Sequence, residues 1–237
     1  MNKCWCGSGL DYEVCHREFD KKINYYKKRG VMTPPKSMIK NQQQIEGIKK
    51  AAVVNNGLLD HIEKNIKIGM STEDIDVLTR EYLKEHNAHS ADLNYEGYPK
   101  SICTSINDVV CHGIPSSDVI LKDGDIINVD ATSELNGYYA DASRMFMMGN
   151  VSDEAKKLVK ITKEAMYEGM KAIKPWKSHI GDIGKAIAVV LMVMQVAGSG
   201  GTFPIQCAPE FFRKVYPLLP FVHSMNAMRE CIAGFYN

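Results

Sequence analysis

The stretch "INVDATSELNGYYADASRM", residues 127–145, restricts the fold more than any other segment of the chain. Asn136-Gly137 lies between alternating β-branched and aromatic residues, the strongest short signal for a hairpin closed by a two-residue type I′ turn. With those two residues as the loop, Leu135 faces Tyr138 and Asp130 faces Ser143. Asp141 then lies one diagonal step from Asp130 on the same face, roughly 7–8 Å away at the backbone. Aspartate is depleted in strands, and two carboxylates at this spacing repel each other when nothing lies between them. Two readings follow: a solvated hairpin with two exposed acids, or a pair of ligands reaching toward one or two cations.

The flanking segments are helical. Ile45, Ile48, Ala52, Leu59, Ile62 and Ile66 share one stripe, which Gly69 ends. "STED" at 71–74 is a capping-box start for a second helix carrying Ile75, Leu78 and Tyr82. Residues 101–115 read as a strand and loop leading into the hairpin. A third helix is expected from about Ser152 to Ile173, stopping before Pro175-Trp176, and a fourth from near Ile180. Helices and antiparallel strands in blocks predict an α+β fold with the helices on one side of a sheet. A length of 237 residues with 24% charged side chains suits one domain with a small appendage.

That appendage is the N-terminus. Cys4, Cys6, Cys15 and His16 fall in "CWCGSGLDYEVCH", four metal ligands within thirteen residues. Gly7 and Gly9 let the chain turn back sharply. A Cys₃His set suits a closed tetrahedral zinc site. Scattered buried thiols are the alternative, but so short a segment has no core to bury them, and metal binding would supply its folding energy. Residues 17–40 follow as a basic stretch in which eight residues are Lys or Arg and Pro34-Pro35 marks an extended linker. Such a stretch is read as a solvated tether, with contact to ribosomal RNA as the other use.

Net charge is +1, which argues against broad binding to DNA or an anionic membrane. The N-terminus lacks the apolar region of a secretory signal. The longest apolar run, "AIAVVLMVMQVA" at 186–197, is shorter than the ~20 residues a membrane span needs. Seven cysteines in a chain of this kind point to a cytoplasmic protein with metal-bound or reduced thiols.

Two resemblances add to this reading. The first twenty residues resemble the SEC-C zinc motif, which implies a docking module because all four coordination positions come from the protein. "NYEGYPKSICTSINDVVCHGIP" (94–115) and "DGDIINVDATSELNGYYADASRMF" (123–146) resemble type I methionine aminopeptidase, the pita-bread fold, over roughly residues 38–188. The resemblance implies removal of the initiator methionine from the N-terminus of nascent chains at a site of two divalent ions. Hard oxygen donors suit Mn²⁺, with Fe²⁺ or Co²⁺ once imidazole joins. By the same resemblance Asp130 and Asp141 are metal ligands, and His112 in "CHGIP" contacts substrate near the scissile bond. Tyr95, Tyr98 and Cys103 line the methionine side-chain pocket. Asp92 departs from the small or thiol residue common beside that pocket, and no role is assigned to it. The competing class is a non-catalytic pita-bread protein that docks to the ribosome or export machinery through its zinc motif.

The expected organisation is a zinc motif at 1–20, a basic linker at 21–40, the N-terminal part of a pita-bread domain at 41–188, and a divergent tail at 189–237. The family pattern needs a histidine in a Gly-His-Gly segment and two later glutamates, and the tail offers none in that context. Its 49 residues hold five of the seven Phe, and Glu210 and Glu230 as their acids. Its opening helix turns apolar on every side, a local inconsistency. A shifted reading frame or an alternative end is the expectation, with impaired catalysis and an exposed apolar face that lowers solubility. The other reading takes His223, Glu210 and Glu230 as substitute ligands.

Overall fold

A computed structural model of the chain describes residues 2–198. They belong to two compact units, one ending at Val151 and the next beginning at Ser152. The first unit opens with two short helices, α1 (Tyr12–Cys15) and α2 (Arg17–Lys27), followed by α3 (Gln42–Asn65) and α4 (Thr72–Glu85). Then come β1 (His89–Ser90), β2 (Cys103–Ile106), β3 (Ile126–Leu135) and β4 (Tyr138–Met147), all antiparallel around β3.

The hairpin has the register its sequence predicts. Leu135 faces Tyr138, Asp130 faces Ser143, and Thr132 faces Asp141. Asn136 and Gly137 both take positive φ, 52° and 79°, as a type I′ turn requires. The Glu134 carboxylate accepts the Gly137 N–H and braces the turn. Strand β4 pairs along the full length of one edge of β3. The other edge is divided: β1 pairs with Ser133 and Glu134, and β2 with residues 127–130.

Alternation along β3 decides where the core lies. Ile127, Val129, Ala131 and Ser133 are buried, while Asn128, Asp130 and Thr132 are only partly so. The buried face packs on Leu58, Leu59 and Ile62 of α3 and on Ile75 and Leu83 of α4. Burying one such aliphatic side chain stabilises the fold by about 1.5–3 kcal/mol. Asn55 is a polar residue inside this core. Its Nδ2 donates to the Ala131 carbonyl at 3.0 Å and its Oδ1 accepts the Ser133 hydroxyl at 2.6 Å, so nothing there is left unpaired. The stripe expected on α3 therefore holds at Leu59 and Ile62 but not at Ile45, which is exposed. Ala51, Asn55 and Leu58 complete the buried face instead.

Part of the basic stretch is also more ordered than a tether. Residues 17–27 form α2, whose Phe19, Asp20, Ile23 and Tyr26 are partly buried beneath a lysine-rich outer face. Lys36–Met38 form a 3₁₀ turn, with Pro35 and Ile39 extended on either side of it. In the second unit, α5 (Asp153–Lys171) and α6 (Ile180–Gly198) pack where Gly169 meets Ile183 and Ile187. No helix among the described residues is long and apolar enough to cross a membrane. Most of the tail, with Glu210, His223 and Glu230, lies outside the described residues.

Helix α4 starts with the expected capping box. The Ser71 hydroxyl accepts the Asp74 N–H at 3.1 Å, and Asp74 Oδ2 accepts the Ser71 N–H at 2.8 Å. We expect Ser71→Ala to cost about 1 kcal/mol, read as a shift in the urea midpoint. The Ser71 backbone N–H, and then its hydroxyl, hold the Asp74 carboxyl below the usual carboxylate range. A depressed value means that its contribution is complete above the unfolded value near 3.9 and is lost as pH falls through the lower folded one. The stability gap between wild type and Asp74→Ala should therefore narrow between about pH 5 and about pH 2. A gap that stays constant over that range contradicts the cap.

Candidate metal centres

The N-terminal ligands converge. The Cys4 N–H donates to the Leu10 carbonyl at 2.8 Å, and the Tyr12 N–H to that of Asn2 at 2.9 Å. These bonds fold the segment back through Gly7 and Gly9, both at φ 76°. Cys15 at the end of α1 and His16 at the start of α2 complete the set. The Sγ atoms of Cys4 and Cys15 lie 3.3 and 3.2 Å from His16 Nδ1, and Cys6 Sγ lies 3.7 Å from Cys15 Sγ. All four ligand atoms are within 4.8 Å of one another. Zinc bonds of about 2.3 Å to sulfur and 2.0–2.1 Å to nitrogen put tetrahedral neighbours roughly 3.5–3.8 Å apart, so the cluster has the right size for that ion. The Ser8 hydroxyl, above all, brings the Cys6 thiol down to about 6, toward the thiolate a metal needs, while burial pushes Cys4 up.

This motif is braced from below. Asp20 Oδ2 accepts the Trp5 indole N–H and the Tyr12 hydroxyl, each at 3.0 Å, and pairs with Lys36 at 3.5 Å. Burial works against the charge, yet Trp5, Tyr12 and Lys36 together hold the Asp20 carboxyl below its ordinary value. The Trp5 ring lies against His16, and the Lys36 ammonium stands 4.7 Å from the Trp5 ring centroid. Asn41, the N-cap of α3, donates from Nδ2 to the Cys6 carbonyl at 2.8 Å.

The second centre lies on the open face of the hairpin. Asp130 is half-buried there and Asp141 exposed, with the diagonal register placing both on the face away from α3. Burial, and then the charge of Asp141, push the Asp130 carboxyl up, while His112 pulls it down. His112 reaches this position through a loop that doubles back on β2. The Thr104 N–H donates to the Gly113 carbonyl at 2.8 Å, and the Gly113 N–H to the Ser105 hydroxyl at 3.2 Å. A Cβ on Gly113 would stand 2.0 Å from the Thr104 carbonyl oxygen, so only glycine permits this approach. His112 itself takes φ 54°, in the left-handed region.

The residues expected around the methionine pocket are partly gathered. Tyr98 donates its hydroxyl to the carbonyls of Ile102 and Gly113, at 3.1 and 3.3 Å. It also lies beside the Cys103 thiol, and burial pushes both groups up. Cys103 in turn faces Asp130 across the β2–β3 ladder. Tyr95 is exposed on a cavity of about 470 Å³ that Asp92, Thr132 and Tyr139 also line.

Two further acids stand out. Asp76 is buried on α4, accepts the Ser101 N–H at 2.6 Å and pairs with Arg80 Nε at 3.0 Å. It thereby ties the loop before β2 to the helix. Its only signal in the sequence is an acid on the same helical face as Thr79 and Leu83. Asp92 is half-buried, and burial, opposed by the Thr132 amide, raises its carboxyl along with the charges of Asp130 and Asp141.

Oxygen donors with a neighbouring imidazole fit a hard divalent ion, and a cation between Asp130 and Asp141 would remove their repulsion. Among the described residues, the N-terminal set is the one group of three or more ligand side chains whose donor atoms already converge. The hairpin pair therefore supplies part of a site.

The model of metallopeptidase family M24 matches residues 46–214, past residue 188 and into a segment without a legible motif, and the SEC-C motif matches residues 2–18. Methionine aminopeptidase A of Synechocystis sp. is 46% identical over 147 residues, 62% of this chain and 58% of that protein. The methionine aminopeptidase of Haemophilus influenzae is 37% identical over 180 residues, 73% of this chain and 67% of that protein. The crystal structure of methionine aminopeptidase from Rickettsia prowazekii superposes with a TM-score of 0.64 at 40% identity, covering 66% of this chain and 62% of the other. The chain thus spans about three fifths of the Synechocystis and Rickettsia proteins. A family model matched over more than two thirds of the residues, on a sheet with the same fold, places this chain in metallopeptidase family M24, with a SEC-C motif at its N-terminus.

Proposed function

We propose that the hairpin centre serves the hydrolytic removal of methionine from the N-terminus of nascent polypeptides. The observation that carries this reading is the diagonal placement of Asp130 and Asp141 on one open face, with His112 close enough to act on the Asp130 charge. Asp130 and Asp141 hold divalent metal, with Mn²⁺, Fe²⁺ or Co²⁺ suited to the donors. When bound, a pair of such ions supplies Lewis acidity and activates water for attack on a peptide carbonyl. His112 donates a hydrogen bond to the substrate amide or passes a proton. Tyr95, Tyr98 and Cys103 receive the methionine side chain.

Cys4, Cys6, Cys15 and His16 hold one structural Zn²⁺ with no open position for chemistry. The motif docks the protein to the ribosome or an export factor in the cytoplasm, where nascent N-termini emerge. A non-catalytic docking protein is the second reading. What favours it is that no third donor joins Asp130 and Asp141 among the described residues, whereas the N-terminal cluster is complete.

Zinc analysis of the purified chain should give one Zn²⁺ per chain. Cys15→Ser should lose it and change Trp5 emission, because Trp5 lies against His16. A Cys15→Ser chain that retains its zinc excludes this ligand set.

Among the described residues two carboxylates are placed for the ion, and two alone leave it mostly hydrated, so the 237-residue chain should release methionine from Met-Ala peptides far more slowly than the methionine aminopeptidase of Haemophilus influenzae. Asp130→Asn should remove what remains, by more than the roughly 10–100-fold that losing an outer-shell partner costs. Metal-dependent release that is unaffected by Asp130→Asn takes the hairpin out of the reaction.

A further inference from the structure

The two short strands on the outer edge of β3 leave a gap. Strand β2 ends its pairing where Cys103 faces Asp130, and β1 resumes at Ser133 and Glu134. Thr132, which faces Asp141 on the opposite edge, falls between them. In a hydrogen-bonded antiparallel pair the two residues exchange both backbone bonds. Ala91 keeps half of that exchange, donating its N–H to the Thr132 carbonyl at 2.9 Å. The return bond from the Thr132 N–H goes to a side chain, Asp92 Oδ2, at 3.1 Å. A carboxylate thus stands in for a missing backbone carbonyl.

It can do so because the chain is leaving the sheet there. The Ser90 hydroxyl accepts the N–H groups of Asp92 and Leu93, at 3.1 and 3.2 Å, and donates to the Ser101 carbonyl at 2.8 Å. Asn94 then turns into the left-handed region at φ 67°. The backbone after Ala91 peels away, and only a side chain reaches back to β3.

We infer that Asp92 is a positioning residue for the Asp130–Asp141 pair, holding β3 in register at Thr132, two residues along the strand from Asp130 and directly opposite Asp141. The inference rests on the metal reading of the hairpin. Without the Asp92 bond, the Thr132 N–H is unpaired and the Ala91 N–H alone holds the outer edge of the central strand at that residue. The diagonal separation of Asp130 and Asp141 is then free to vary, and a divalent ion meets a looser pair. The hydrogen-bond acceptor is what matters, so an amide oxygen at position 92 should serve as well as a carboxylate.

The test uses the full chain labelled with ¹⁵N, with Mn²⁺ broadening of the Asp130 and Asp141 amides as the binding readout and exchange of the Thr132 amide as the positioning readout. About 1 M KCl shortens the screening length to about 3 Å and suppresses the effect of the charge on residue 92. Asp92→Ala should weaken Mn²⁺ binding and speed Thr132 exchange at least about tenfold, the scale of an outer-shell loss. Asp92→Asn, which keeps an acceptor, should stay within about threefold of wild type in both. Equal Mn²⁺ affinity in wild type and Asp92→Ala overturns the proposal, as does an Asp92→Asn chain that loses binding and Thr132 protection. The Asn variant decides the matter even where the Ala variant fails to fold. No broadening in the wild-type chain overturns the metal reading itself, and this inference with it. Broadening that Asp92→Ala leaves unchanged removes Asp92 alone.

Discussion

Strand β3 has to satisfy opposite demands on its two faces, and the rest of the first unit follows from how it does so. A period of two sends Ile127, Val129 and Ala131 into the apolar layer against α3 and α4, and sends Asp130 and Thr132 out. A slip of one residue would bury Asp130 and expose Val129, so register and function are a single constraint. The type I′ turn fixes that register from one end, and the Asn55 amide, bonded to Ala131 and Ser133, fixes it from the helix side. Two like charges on one face are an unfavourable arrangement in a bare protein. It makes sense where a cation completes it.

The two candidate centres are joined by covalent and hydrogen-bonded structure. Asn41 caps α3 with its side-chain oxygen and holds the Cys6 carbonyl with its nitrogen. Helix α3 then runs to Asn55, whose partners Ala131 and Ser133 bracket Thr132. The SEC-C motif is therefore built onto the first turn of the helix that carries the hairpin.

What could be read from the residues and what could not differ in range. The hairpin register, the Ser71–Asp74 cap and the convergence of Cys4, Cys6, Cys15 and His16 rest on partners close in sequence, and each was legible. Asp76 and Asp92 act on backbone amides 25 and 40 residues away, at Ser101 and Thr132. Nothing in a linear pattern announces a side chain standing in for a strand carbonyl, so Asp92 could be singled out only as a departure from a family pattern. Asn55 was hidden because a buried amide on an apolar stripe looks like a surface residue until its partners are known. Helix α2 was hidden because Phe19, Ile23 and Tyr26 are spaced for one face, while the lysines around them look like a tether. The acids and histidine of the tail lie outside the described residues.

On the proposed reading, the open face of the hairpin holds divalent metal between Asp130 and Asp141. Anomalous diffraction from crystals of the full chain equilibrated with Mn²⁺ addresses it most directly. A manganese peak is expected within about 2.0–2.6 Å of a carboxylate oxygen from each of the two aspartates, the span of hard-cation bonds to oxygen. Manganese bound elsewhere on the protein, with neither Asp130 nor Asp141 among its ligands, would contradict it.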